Sequence, residues 1–566
     1  MNVININFSW RLTLFMSVII LCGALTCVAA TQLPAASGAE ALKQGERMYR
    51  EGLLPSGEAL QAIVKDDIAV PGTSFTCVSC HLRSGLGSFE GGVTTTPANG
   101  KSLYRSLAKQ YKQVKVDIKY FTSIEQRPAY NDATLAEALR SGVTPSGQVM
   151  NPIMPRYLID DADMASLITY LKSLSNEPSP GVTDTALAFA TIITDDVSPA
   201  QYEAMLAPLE QYIQQKNNMV KLFKREKRSE RMAATMLPSS DIMYKKITLS
   251  RWMLKGSPDT WRKQLEEYYR KEPVFALLGG ISNGDWQPIH DFSESYHLPC
   301  LFPHTDFPVI SATDWYTLYF SKGYFQEGEA AARYLNGSDE MQHGGKVVQL
   351  VRASRKGQTL AEGFRTTWQE LGRSDAVTIM LDGDAPVTGD FLQKILLKEK
   401  PVALLLWDGA TALPALQHLA TNGNNPGPVF VSAGYLESDL WSIPEAARGF
   451  TRITYPYRLS QTKTNNSDNN EASKKASPAG IDSEVIMKQS NITAQMLTLS
   501  LMDLRGNYYR DNLLDVIGMM KDQDSQLYER LSFGPGQRYA SKGCYIVQLA
   551  NGANPELIKK SDWVIY

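Results

Sequence analysis

Cysteine is scarce in this chain, with six in 566 residues. No second C-x-x-C and no local H-x-H exists to complete a tetrahedral zinc site around a first pair of thiols. An excess of charge of one sign is also missing. Lys and Arg number 57 against 59 Asp and Glu, a net charge of −2, whereas a nucleic-acid binder shows a basic excess. The main basic cluster, KLFKREKRSER from Lys221 to Arg231, reads as a solvated face or loop. No Walker loop, nucleophile elbow or G-x-G-x-x-G follows a strand, so there is no positive case for NTPase, hydrolase or dinucleotide chemistry. Internal repeats are lacking, and past the N-terminus no apolar run has the length of a transmembrane helix. What is present is ordinary globular material, 43% hydrophobic and 20% charged. The length suggests roughly two to four domains.

The first 30 residues read as a targeting segment. After Arg11 comes LTLFMSVIILCGAL, too short for a comfortable bilayer span, and then the small residues ending at Ala30. A secretory signal cleaved near Ala30–Thr31 is expected, with a periplasmic mature protein and no stable membrane span. The single arginine before the apolar stretch leaves an uncleaved anchor as the alternative. Cys27, in A-L-T-C, makes a poor lipobox. Cleavage removes Cys22 and Cys27 and leaves Cys77, Cys80, Cys300 and Cys544. Export favours disulfide or covalent haem chemistry over a cytosolic-type zinc site. Cys300 and Cys544 are either a long-range pair or two separate buried thiols.

Residues 77–81 read C-V-S-C-H. C-x-x-C-H is the attachment motif for c-type haem, in which two thiols add to the vinyl groups and the adjacent imidazole sits under the iron. A redox dithiol would follow a strand in an α/β unit, whereas the stretch before Cys77 is turn-rich. One covalent haem c on Cys77 and Cys80 is therefore expected, with His81 as proximal iron ligand. Helical periodicity brackets the motif. AEALKQGERMYRE (39–51) sets Leu42, Gly45 and Tyr49 along one side, and Gly45 leaves room for a second helix. NDATLAEALRSG (131–142) ends at glycine, and DDADMASLITYLKSL (160–174) has Asp160 or Asp161 as N-cap.

On these phrases, residues 38–176 resemble a class I cytochrome c, which implies an all-α domain whose first helix crosses its last. The resemblance also implies an axial methionine before the last helix. I-M-P-R-Y supplies Met154, and Met150 in G-Q-V-M-N-P is the competitor. His/Met ligation fills both axial positions and suits outer-sphere electron transfer rather than oxygen chemistry. Arg83 could meet a haem propionate, although solvent exposure is the expectation for it.

Residues 177–184, rich in Pro and Ser, read as a linker, and from 185 the pattern alternates strand and helix. TALAFATIIT, PVFALLGG, GKVVQLVRAS, PVALLLWDG and PVFVSAGY are strands separated by helices. Ser198, Pro199 and Gln201 form the capped start of the first of these helices. Such β-α-β order means parallel sheets covered on both faces. The phrases PVFALLGGISN, YHLPCLFPHTDFP and GKVVQLVRASRKGQTLAEGF resemble a type I periplasmic binding protein of the amino-acid-binding class. That resemblance implies two α/β lobes over 185–566 closing on a small molecule such as an amino acid. The polar stretch 461–480 is expected to be a disordered loop within them.

Ligands of such sheets sit outside the carboxyl ends of strands. That rule selects Gly279, Gly280, Ser282, His304, Asp306, Arg352, Ser354, Trp407, Asp408, Ser432 and Tyr435. Gly280–Ser282 would donate to a carboxylate and Asp408 would receive an amine. His290, His297 and His304 recur every seven residues, too widely for a metal site on a strand or loop. The expectation is a multidomain exported electron carrier, not an enzyme, with a solute-binding or docking module. Its partner would be a redox protein such as a periplasmic dehydrogenase or another cytochrome. The alternatives are a solute sensor whose haem reports occupancy and an open-site haem sensor or enzyme.

Overall fold

The computed structural model describes residues 38–90, 92–106, 127–225, 245–342, 344–383, 385–422, 427–459, 481–534 and 536–565. The expected signal segment, the loop 461–480 and part of the basic run lie outside them. Two compact units form. One is Met1–Val78 with Asn99–Leu174, and the other is Ser79–Ala98 with Ser175–Tyr566.

Up to residue 174 the chain lays down α1 (Gly38–Glu51), β1 (Gln61–Val64), β2 (Ile68–Pro71), α2 (Cys77–His81), β3 (Ser88–Glu90) and β4 (Val93–Thr95). It continues with α3 (Asp132–Ser141), β5 (Arg156–Leu158) and α4 (Asp161–Ser173). In the first unit α1 crosses α4 at Gly45. A Cβ on Gly45 would lie 2.3 Å from the Ser166 carbonyl oxygen and 2.6 Å from the Tyr170 Cβ, so only glycine allows this approach. Met48 and Tyr49 bury the adjoining turn, and the rings of Tyr49 and Tyr170 pack 5.5 Å apart. Asp160 caps α4 by accepting the Asp163 amide, and Gly142 ends α3 in the left-handed region.

The all-α expectation for this region is corrected. β2-β1-β5 form a small antiparallel sheet, and β3–β4 form a hairpin in the other unit. The β-branched residues of QAIV and IAVP favour extended pairing. Tyr157, opposite Ala62 in the β1–β5 register, fixes the sheet by burying its ring.

The second unit holds two lobes. Strands β6 (Ala186–Thr194), β7 (Lys246–Leu254), β8 (Ala276–Leu278), β9 (Cys300–Leu301) and β10 (Thr317–Leu318) form an all-parallel sheet in the order β10-β9-β8-β6-β7. Helix α5 (Pro199–Arg225) follows β6, and its Ser198–Gln201 capping box is present. The second lobe opens with α6 (Tyr324–Asn336), β11 (Val347–Arg352) and α7 (Arg355–Glu370). Strands β12 (Val377–Leu381), β13 (Ala403–Trp407), β14 (Val429–Ser432) and β15 (Thr451–Tyr455) extend its sheet in parallel.

The chain then returns to the first lobe, where α8 (Ile481–Asp503) and α9 (Arg510–Gly518) share a core with Phe189 and Leu206. It crosses once more to add β16 (Gly543–Leu549) antiparallel to β15, with β17 (Leu557–Lys559) and β18 (Val564–Ile565) at its margin. Apolar clusters cover both faces of each sheet, as parallel strands require. Cys300 and Cys544 are separate buried thiols on β9 and β16, which settles their alternative. Among the described residues no helix is long and apolar enough to cross a membrane.

Candidate functional site

Helix α2 spans the five residues of the C-x-x-C-H motif. Positions i, i+3 and i+4 of a helix share a face, so Cys77, Cys80 and His81 project to one side. In the first unit the Cys77 thiol lies 3.9 Å from the Tyr157 hydroxyl, which itself donates to the Phe75 carbonyl at 3.1 Å. The Cys80 thiol is exposed.

In the second unit the His81 Nδ1 lies 2.8 Å from the Thr96 carbonyl oxygen. A carbonyl only accepts, so Nδ1 carries the proton and Nε2 keeps its lone pair for a metal. Burial lowers the imidazole pKa, partly offset by the Thr96 bond, which favours the neutral ring that ligation needs. The loop that brings Thr96 back to His81 turns at Gly87, at φ 81°. There the amide donates to the His81 carbonyl, and a Cβ would lie 2.2 Å from the Thr95 oxygen.

Met154 sits in a turn closed on Asn151, whose side chain accepts the Ile153 amide, directly before Pro155. The Met150 amide donates to the Gly142 carbonyl. Both methionines are half-buried. Ile68, Phe75, Val149, Ile153 and Leu158 leave large apolar surfaces exposed in the first unit, up to 80% for Val149. In donor chemistry, the two thiols of the motif and a neutral imidazole whose Nε2 keeps its lone pair fit a haem. Arg83 departs from expectation. It is half-buried, with its guanidinium 4.4 Å from the Trp315 ring centroid.

The residues predicted for the solute cleft gather at the carboxyl ends of β8, β9, β11, β13 and β14, but many are already engaged with one another. The amides of Gly279, Ile281 and Ser282 donate to the carbonyls of Leu301, Ile192 and His304, while the Gly280 carbonyl accepts from His304. The Ser282 hydroxyl accepts the Gly284 amide. Arg352 grips Asp408 with both Nε and Nη2, at 3.1 and 2.7 Å, so the carboxylate expected to receive an amine is paired within the protein.

Trp407 is a core residue rather than a cleft residue. Strand alternation puts it on the same face as Leu405, fully buried, with its indole N–H donating to Gln349. Ser354 caps α7 and bonds the Tyr435 hydroxyl at 2.6 Å, and Ser432 caps the turn at Tyr435. His304 is buried, with Nδ1 donating to Gln489 and Nε2 accepting from Ser490, and burial drives its pKa down to about 4. His290 instead lies between Tyr319 and Asp314, and His297 stacks on Tyr316. Among the described residues there is no group of three His, Cys, Asp or Glu that could hold a metal ion.

Sequence reasoning missed the groups that join the lobes. Arg355 of the second lobe pairs with Asp285 of the first at 3.1 Å and covers Phe307 at 4.1 Å. Phe307 packs on Tyr324, which faces Tyr435. Burial raises the pKa values of Tyr324, Tyr457 and Tyr528, and the charge of the exposed Asp306 adds to it. Their only sequence signal is aromatic residues beside strand ends.

Glu327, in the first turn of α6, is also new. It is buried, and its carboxylate accepts the Thr454 hydroxyl at 2.7 Å and the Gly434 amide at 3.1 Å. Burial outweighs these bonds and raises its pKa to about 7 from 4.5. Between those values the unfolded chain has released the proton and the folded chain keeps it, so stability falls as pH rises through the window. Burial of His304 works oppositely, losing stability as pH falls from 6.5 towards about 4. That contribution cancels when wild type is compared with Glu327→Gln. Relative to wild type, the variant should gain a factor on the order of ten or more in its folding constant between pH 5 and pH 8. Urea midpoints at the two pH values measure this, and parallel curves would refute it.

Residues 242–553 match the family described as periplasmic binding protein, and residues 72–175 match cytochrome c. Among solved structures, the chain is similar to an ABC transporter substrate-binding protein from Sphaerobacter thermophilus. Identity is 14% over 67% of this chain and 98% of that one, with a TM-score of 0.46. A putative branched-chain amino acid ABC transporter from Rhodospirillum rubrum is 13% identical over 67% and 100% of the two chains, at 0.44. A branched chain amino acid ABC transporter from Thermus thermophilus, solved with bound valine, is 12% identical over 68% and 97%, at 0.43. No curated protein matches the chain. A cytochrome c region implies covalent haem c, and both matched families are typically non-enzymatic. With more than half of its length matched, the chain belongs to the periplasmic binding protein family and carries a cytochrome c region ahead of that match.

Proposed function

We propose that the chain is a periplasmic one-electron carrier with a single haem c, joined to a module that binds a small solute or docks a partner. Cys77 and Cys80 hold the haem, His81 is the proximal ligand and Met154 the distal one. The observation that carries this reading is the His81 Nδ1–H bond to Thr96, which orients a neutral imidazole on the helix face that presents both thiols. When bound, the haem supplies reversible one-electron chemistry. The chain's own residues hold it and orient the imidazole. The electron partner is a redox protein such as a periplasmic dehydrogenase or another cytochrome. An amino acid remains the solute class.

Absorption spectra of the ferric and ferrous protein, with and without carbon monoxide, test the ligand set. Wild type and Met150→Ala should be low-spin and unmoved by the gas, whereas Met154→Ala should bind it promptly. A wild-type spectrum that shifts would remove Met154 from the iron and favour an open-site sensor or enzyme.

A further inference from the structure

Residues 79–98 carry the second cysteine and the histidine of the haem motif, yet they belong to the same compact unit as the binding-protein lobes. Their contacts explain this. The buried carboxylate of Asp515 on α9 accepts the amides of Ser84 at 2.8 Å and Arg83 at 3.3 Å. Bonds to an ionised acceptor are shorter and stronger than neutral ones. Ser84 is 1% exposed, and its carbonyl accepts the Ser175 hydroxyl at 2.7 Å. The Arg83 guanidinium lies 4.4 Å from the Trp315 ring centroid, and Arg538 lies 4.1 Å from the same ring. Cation–π contacts strengthen as their surroundings lose water, and Arg83 and Trp315 are both half-buried. Tyr316, next in the chain, donates to Asp511, one helical turn before Asp515.

Helix α9 is itself rooted in the first lobe. Leu513, Leu514 and Ile517 enter the core beside Phe189 and Leu278. Arg510 donates to the carbonyls of Val274 and Phe275 at 2.6 and 3.2 Å, immediately before β8, whose end leads to Gly279–Ser282. A continuous set of bonds therefore runs from the residues after His81 to the strand that ends at the solute cleft.

We infer that Asp515 and Trp315 are positioning residues for His81, seating the segment that follows the haem motif on the first lobe of the binding module. This rests on the haem reading above. A free cytochrome would fold its proximal loop on its own helices. Here that loop is held by a carboxylate and an indole from the binding module, distant in sequence.

The test uses the full-length holoprotein as wild type, Asp515→Asn and Trp315→Leu. Haem content is read first from the pyridine haemochrome spectrum, then the midpoint potential and amide exchange by mass spectrometry. Both variants should retain haem and show a shifted potential. Exchange over residues 82–87 should quicken by about tenfold or more, while that of the second lobe's sheet stays unchanged. Unaltered potential and exchange in both variants would overturn the inference. Asp515→Asn preserves shape and decides alone if Trp315→Leu fails to fold. A wild type without haem would sink the haem reading, and the exchange of 82–87 would still decide the seating.

Discussion

A Cys77→Ser/Cys80→Ser chain will surrender its haem to acidified organic solvent, whereas wild type will keep it on the polypeptide. The reason lies in the short helix that places both thiols and His81 on one face. Thioether bonds survive loss of the axial ligands, and coordination alone does not. Each single variant retains one bond and should therefore still stain for haem after denaturing electrophoresis. The double variant should also be less stable in the region around the motif. In the first unit Ile68, Phe75, Val149, Ile153 and Leu158 expose apolar surface, and a ligand held only by the folded state stabilises it in proportion to occupancy. Complete extraction of haem from wild type, or its retention by the double variant, would refute covalent attachment.

The second large effect is expected at Arg352. Arg352→Leu should lose about 3–5 kcal/mol of stability, because removing one member of a buried pair strands the other charge. Side-chain exposure of Arg352 and Asp408 is 8% and 3%. Without the guanidinium, Asp408 keeps the Gly409 amide at 2.9 Å and the Thr411 hydroxyl at 3.3 Å, too few donors for a buried carboxylate. Arg352 also donates to the Gly383 carbonyl at 2.7 Å, a bond that water replaces because Gly383 is exposed. The double variant Arg352→Leu/Asp408→Leu should recover much of the loss, since two apolar side chains replace two desolvated ions. Urea denaturation of the three proteins decides the matter. A single variant within about 1 kcal/mol of wild type would mean that water reaches the pair. The same pairing explains why Asp408 makes a poor amine acceptor despite its place at a strand end.

Much of the architecture is written locally. Ser198 with Gln201, Asp160 before α4 and Gly142 after α3 act within a turn of helix, and the structure contains all three. Gly45 and the strand runs follow from side-chain size and periodicity, and C-V-S-C-H is itself a short-range signal. Trp407 was misplaced because a strand-end position does not say which face the side chain takes. Alternation from Leu405 turns it into the core. The small sheet around Tyr157 was missed because strands of three or four residues carry too little pattern to separate from loop.

By itself the sequence determined the covalent haem motif, the alternating lobes, the helix caps and the list of strand-end polar residues, since each depends on neighbours within a few positions. Only the tertiary structure decided which of those polar groups pair with one another. Arg352 meets Asp408 across 56 residues, Glu327 meets Thr454 across 127, and Ser84 meets Asp515 across 431. A buried charge takes whatever partner the folded chain brings within hydrogen-bond reach, and no local pattern encodes that choice.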